Sequence, residues 1–153
     1  MAGVQKLYVI DVQVDCAAPA EVAFDILRDA AGWSTWTVAK KTMLEVEGTP
    51  APDGVGAIRI FGTGPFKSRE EVVAYEPPTH FAYIMHKGVP VSDYRADVTI
   101  TPTNIAGQVG CTIAWHSTFH RKYPLTGAAN RLFLLYFLRD TAKRLARAAV
   151  ARS

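Results

Sequence analysis

Residues 91–119 read VSDYRADVTITPTNIAGQVGCTIAWHSTF. Tyr94, Ala96, Val98 and Ile100 alternate with Arg95, Asp97 and Thr99, and Val109, Cys111, Ile113 and Trp115 repeat the pattern after Thr103 to Gly107. A period of two places alternate side chains on opposite faces of a strand. Both runs therefore read as strands with one apolar face, 91–101 and 108–119. The separator carries turn residues and is too short for a parallel crossover, so the two strands are antiparallel neighbours.

The same period extends upstream, with strands at 42–47, 55–61, 66–75 and 80–87. Pro52-Asp53-Gly54, Gly62-Thr63-Gly64-Pro65, Pro77-Pro78 and Lys87-Gly88-Val89-Pro90 separate them. Near the N-terminus Tyr8, Ile10, Val12 and Val14 alternate with polar neighbours as one more strand. Pro19 opens a helix over 19–29, its φ already suited to a first turn, and Ala30 to Trp36 forms a second short helix or turn. The pattern then changes once more, to a long helix over 124–150. Its apolar stripe is Leu134, Leu135, Leu138, Ala142, Leu145 and Ala149, opposite Arg139, Lys143, Arg144 and Arg147. Leu132, Phe133 and Tyr136 fall on the basic side, either as a cavity lip or contact surface or packed beneath a loop.

This order is one α+β domain spanning 1–153: an antiparallel sheet of about seven strands whose buried face is covered by one long helix. Strands that splay from a single helix leave an interior gap, where small-molecule pockets form. The apolar fraction is 49% and the charged fraction 20%, a globular balance. The longest apolar run, Leu132 to Leu138, has seven residues, against about 20 for a membrane-spanning helix. The alternating N-terminus with Asp11 and Asp15 is unlike a signal peptide. Two cysteines without a C-x-x-C motif, Cys16 and Cys111, read as reduced core thiols in a cytoplasmic protein. The net charge of +3 divides unevenly, with eight basic residues and only Asp140 acidic from Arg121 onward. Such a run is most often a solvated helix face.

Matching the apolar faces of successive hairpins gives a register. Tyr94 is expected opposite Tyr83, Ala96 opposite Phe81, Phe81 opposite Ala74 and Met85 opposite Glu70. Phe61 falls opposite Phe66, Arg59 opposite Ser68 and Ala57 opposite Glu70. The inner surface then holds Phe61, Phe66, Phe81, Tyr83, Met85, Tyr94, Trp115 and Phe119, with Arg59, Ser68 and Glu70 among them. The long helix adds Leu134, Phe137 and Leu138, and Trp33 and Trp36 stand at the mouth. Arg59 and Glu70 become diagonal neighbours. An inward ion pair is costly unless it is paired, hydrated or functional, and an aromatic box with one ionic handle suits a ligand with a flat or apolar body and a polar end. A structural salt bridge, or a register exposing both charges, is the competing reading.

Other chemistry is not expected. There is no G-x-S-x-G, Walker A or H-E-x-x-H motif. Gly54-Val55-Gly56 opens a strand and lacks a third glycine. His116 and His120 have helical zinc spacing but lie on a strand, about 13 Å apart by strand rise. No metal or cofactor is expected. The basic helix has few interleaved aromatics, so nucleic acid is not an expected partner.

Several segments together resemble the SRPBCC superfamily, the helix-grip fold of Bet v 1 allergens, START lipid-transfer domains and aromatic polyketide cyclases. They are Ala18-Pro19-Ala20-Glu21-Val22-Ala23-Phe24, the Trp33/Trp36 pair, Gly54-Val55-Gly56-Ala57-Ile58-Arg59, Arg69-Glu70-Glu71-Val72, Tyr75-Glu76-Pro77-Pro78, Gly110-Cys111-Thr112-Ile113-Ala114-Trp115 and the terminal helix. The nearest branch resembles the bacterial polyketide cyclase/dehydrase and lipid-transport family. The resemblance implies a curved sheet around the C-terminal helix and a small apolar or aromatic ligand, lipid or polyketide-like. A cyclase or dehydratase acting on a poly-carbonyl substrate is the rival, with Arg59, Glu70, Tyr83 and Tyr94 as catalytic candidates. The third reading is an interaction protein that uses the basic helix, as monomer or homodimer. Transient membrane contact stays open.

Overall fold

Seven antiparallel strands pair in the order β1-β7-β6-β5-β4-β3-β2. They are β1 (Tyr8–Cys16), β2 (Lys41–Val46), β3 (Ile58–Thr63), β4 (Phe66–Glu76), β5 (His80–Lys87), β6 (Val91–Ile105) and β7 (Gln108–Arg121). The computed structural model describes residues 4–153, so residues 1–3 of the expected domain lie outside it. β1 and β2 are consecutive in sequence yet form opposite edges of the sheet. Their connection must therefore cross its open side, and it does so as α1 (Ala20–Arg28) and a 3₁₀ turn, Ala31–Thr35. The long helix α2 (Gly127–Arg152) packs on β1, β7 and α1. It buries Leu134, Leu138, Ala142, Leu145 and Ala149 of the expected stripe; Leu135 is only partly buried, while Thr141 and Ala146 are buried as well. This is the helix-grip arrangement. Among the described residues no helix is long and apolar enough to cross a membrane.

Most expected strand faces hold, Ala74 and Val109 excepted, but the expected partners shift. In the β3–β4 hairpin Thr63 pairs with Phe66, around Gly64 at φ 59° and Pro65. A first central residue at positive φ suits the tightest hairpin turns. The ladder consequently slides by two residues: Arg59 lies directly opposite Glu70, not Ser68, and Phe61 opposite Ser68, not Phe66. In the β6–β7 hairpin the turn shrinks to Ala106 and Gly107, both at positive φ, and Thr103–Ile105 join the strand. Val109 sits at that hairpin tip and is exposed, not inward. Tyr83 faces Ala96 and Phe81 faces Val98, not Tyr94 and Ala96, and the β5–β6 ladder ends at Ile84 and Arg95, short of the turn. A bulge between Val72 and Ala74 moves Phe81 from Ala74 to Tyr75, while Met85 opposite Glu70 stands as expected.

Cys16 and Cys111 are free and buried, and they are direct partners across β1 and β7. Any Cβ at Gly127 would overlap the Tyr8 ring, which ties the start of α2 closely to β1. Farther along, Leu145 is fully buried. Leu145→Ala removes packing that nothing nearby replaces, and core truncations of this kind cost about 2–5 kcal/mol. Urea unfolding should show a loss of that size; a loss within about 0.5 kcal/mol, typical of surface sites, would mean that α2 is not gripped there.

Candidate functional site

The site grows from the C-terminal end of α1. The last carbonyls of a helix have no intrahelical donor and carry partial negative charge. The Leu27 carbonyl accepts from Trp33 Nε1 at 2.9 Å and from Arg59 Nη1 at 3.0 Å. Arg59 reaches it from β3 with no exposed surface. Its guanidinium carbon lies 4.8 Å from the Trp33 ring, 4.9 Å from Phe61, 4.8 Å from Phe81 and 5.5 Å from Tyr83. Nη2 donates to Glu70 Oε1 at 3.3 Å, and Nε has no partner.

Burying an ion costs several kcal/mol even after relaxation, and one long Arg–Glu contact is weaker than a bidentate pair. The ion pair alone therefore does not explain the burial. Ring faces attract a cation, each by about 0.5–2 kcal/mol when desolvated, and the Leu27 carbonyl supplies a further acceptor. Arg59 is held by this cage, behind the cavity surface. Glu70 stands in front of it and faces the cavity. Burial pushes the Glu70 carboxyl above its ordinary range, against the pull of the Arg59 charge and hydrogen bond.

The cavity holds about 100 Å³. Its inner wall is Trp33, Phe61, Tyr83, Met85, Tyr94 and Trp115 around Glu70, and α2 closes it with Leu134, Phe137, Leu138 and Thr141. Trp115 Nε1 donates to the Tyr83 hydroxyl at 3.2 Å, and the Tyr94 hydroxyl bonds Ser117 Oγ at 3.0 Å. Burial raises both phenols, so both stay neutral at ordinary pH. The site thus offers aromatic walls, one carboxyl and neutral hydroxyls.

Most of the residues expected from the sequence come together here, Phe66 included, at the rim. Four do not line the cavity. Arg59 lies behind it, Phe81 is a ring of the Arg59 cage and packs against Phe24 and Tyr75, and Phe119 stacks on Tyr8 at the β1 side. Trp36 also belongs to the core, 4.7 Å from the Trp33 ring. Sequence reasoning missed Thr37, Val38, Ala39, Thr63 and Val89 at the mouth; these sit in turns or at a strand end, where no period marks an inward face. It also missed Thr141, whose hydroxyl bonds the Phe137 carbonyl at 2.8 Å and so sits in an apolar stripe without an orphaned group. Phe133 lines the rim, in keeping with the cavity-lip reading. His116 bonds Asp11 and His120 bonds the Lys6 carbonyl, and no metal-holding cluster occurs among the described residues.

The Glu70 shift has a stability consequence. A carboxyl held above its ordinary value of 4.5 keeps its proton in the folded chain after the unfolded chain has lost it. Its contribution to stability is therefore greatest below the unfolded pKa and declines as pH rises toward the folded pKa. Urea unfolding from acid to neutral pH should show wild-type stability falling relative to Glu70→Gln across that window. A difference that stays constant with pH would place Glu70 in the ordinary carboxylate range.

Residues 9–152 match the family model described as polyketide cyclase / dehydrase and lipid transport. An uncharacterized protein of Mycobacterium tuberculosis is 30% identical over 92% of this chain and 89% of its own length. Among solved structures, norcoclaurine synthase from Thalictrum flavum in complex with dopamine and hydroxybenzaldehyde aligns with a TM-score of 0.73 at 16% identity, covering 97% of this chain and 90% of that one. A START superfamily protein from Mycobacterium smegmatis aligns with a TM-score of 0.75 at 14% identity, covering 95% and 99%. At these identities the two structures speak for the fold, and the match across nearly the whole sequence assigns the chain to the polyketide cyclase / dehydrase and lipid transport family.

Proposed function

We propose that the protein binds a small apolar or aromatic molecule in the cavity between the sheet and α2. The observation that carries this reading is the pairing of aromatic walls with a single inward carboxyl, Glu70, anchored by a caged arginine. Burial of a flat body against Trp33, Phe61, Tyr83 and Trp115 supplies affinity. Glu70 and the tyrosine hydroxyls orient the polar end. The dopamine and hydroxybenzaldehyde held by the structurally similar synthase are molecules of this shape.

Native mass spectrometry of the purified protein, followed by a thermal-shift screen of aromatic and poly-carbonyl compounds, tests this. A ligand that prefers the folded state must raise its apparent stability. Met85→Trp places extra volume on the cavity wall and should weaken any such ligand about tenfold or more, equivalent to about 1.4 kcal/mol. Unchanged affinity in that variant would move the binding site elsewhere.

One observation favours a catalytic reading: Glu70 is a carboxyl raised by burial beside neutral phenols, a combination suited to proton transfer at a carbonyl compound. Glu70→Gln should then abolish turnover of a poly-carbonyl substrate while binding persists. Undiminished turnover would remove Glu70 from the mechanism.

A further inference from the structure

The antiparallel order gives the sheet two chemically different ends. At the end holding the cavity mouth lie the starts of β2, β4, β6 and α2 and the ends of β3, β5 and β7. The exposed residues there include Lys40, Lys41, Lys67, Lys87 and Lys122, with Asp93 the acid beside them. Among the described residues none of these five lysines makes a salt bridge. At the opposite end Asp15, Glu21, Glu47 and Glu76 are exposed. The mouth end is thus almost wholly basic, whereas the far end carries both signs, because exposed Lys143 and Arg147 flank Ala146 of α2, whose carbonyl accepts from Cys16 Sγ at the end of β1.

The basic end is also where large apolar side chains meet water. Val38, Phe66, Phe133 and Phe137 line the mouth and remain 41–53% exposed. Leu125, in the link between β7 and α2, is 95% exposed. It adopts φ 63°, a conformation that a leucine rarely takes and that costs of order 1 kcal/mol or more. A strained backbone that holds a leucine in water calls for something to receive it. Apolar tips ringed by lysines match one surface, the boundary between headgroups and acyl chains of an anionic bilayer. Lysine stems cover apolar ground while their ammonium groups reach the phosphates.

We propose that the cavity mouth is a docking face for an anionic lipid bilayer, with Leu125, Phe66 and Phe133 entering the interface and Lys40, Lys41, Lys67 and Lys87 engaging headgroups. Docking in this pose opens the cavity directly onto the membrane surface. It does not depend on which ligand the cavity holds.

Vesicle co-sedimentation of the ligand-free protein tests this, comparing phosphatidylcholine vesicles with vesicles also containing phosphatidylserine. The expected result is binding to the anionic vesicles only, lost at high salt. The double variant Lys67→Glu/Lys87→Glu should weaken it by about tenfold or more, since each basic residue near such a surface contributes on the order of a fivefold change. Leu125→Ser should weaken it too, whereas Val109→Ser, at the opposite end, should not. Both substituted lysines and Leu125 are exposed, and unchanged thermal unfolding confirms that the variants fold. Absent binding, equal binding to neutral vesicles, or equal sensitivity to Val109→Ser would overturn the proposal. So would a dimer that Leu125→Ser dissolves in a protein that ignores vesicles, since that assigns the face to a second copy. None of these failures would bear on ligand binding in the cavity, which the thermal-shift screen reads separately.

Discussion

A cation with no exposed surface organises this protein. Arg59 cannot be buried by its one carboxylate contact, so its surroundings must supply the rest, and they come from every layer. The end of α1 gives a carbonyl, the 3₁₀ turn gives Trp33, β3 gives Phe61 and β5 gives Phe81 and Tyr83. Trp33 donates to the same Leu27 carbonyl as Arg59 does. The crossing from β1 to β2 is thereby pinned to the inner face of the sheet. Shifting any one of these elements strands a buried charge, which is far more costly than losing an apolar contact of equal area. This constraint explains how a carboxyl can sit in so apolar a place: Glu70 is held by a group that is itself fixed on several sides.

The strand faces were legible in the sequence and the strand partners were not, for one physical reason. Side chains alternate with a period of two, so a register error of two residues leaves every residue on its correct face. The alternation puts Arg59 inward whether its partner is Ser68 or Glu70. What decided the partner was turn length, and turn length depended on whether Gly64 and Ala106 adopt positive φ. A glycine before a proline allows this without requiring it, and an alanine gives no signal at all. The odd-numbered displacement, at Val73, arises from a bulge, and bulges leave little trace in an alternating run.

The same limit shaped the reading of the site. Inward strand positions are periodic, so Phe61, Tyr83, Met85, Tyr94 and Trp115 could be named in advance. Depth is not periodic. Nothing in the pattern distinguishes Phe81, under the cage, from Tyr83, on the cavity wall, although both face inward from one strand. The difference comes from α1, whose Phe24 covers Phe81 and leaves Tyr83 free to face α2. Helix placement over a sheet is a tertiary matter that local sequence does not encode residue by residue.

The caged pair also constrains which polar end the cavity can receive on the proposed reading. When Glu70 is ionised, Arg59 already neutralises it, so a ligand bringing a full charge would add an unmatched ion to a low-dielectric space. When Glu70 is protonated, Arg59 is the surplus charge, yet it lies behind the wall and donates to Leu27, beyond the reach of a ligand that stays in the cavity. Neither state rewards a cation strongly, and neither presents a bare cation to an anion. A neutral group that exchanges hydrogen bonds with one carboxyl and nearby phenols fits both states. On the proposed reading the recognition chemistry is therefore that of hydroxyl, carbonyl or amide substituents on an apolar body, with the arginine holding the carboxyl in place behind the wall.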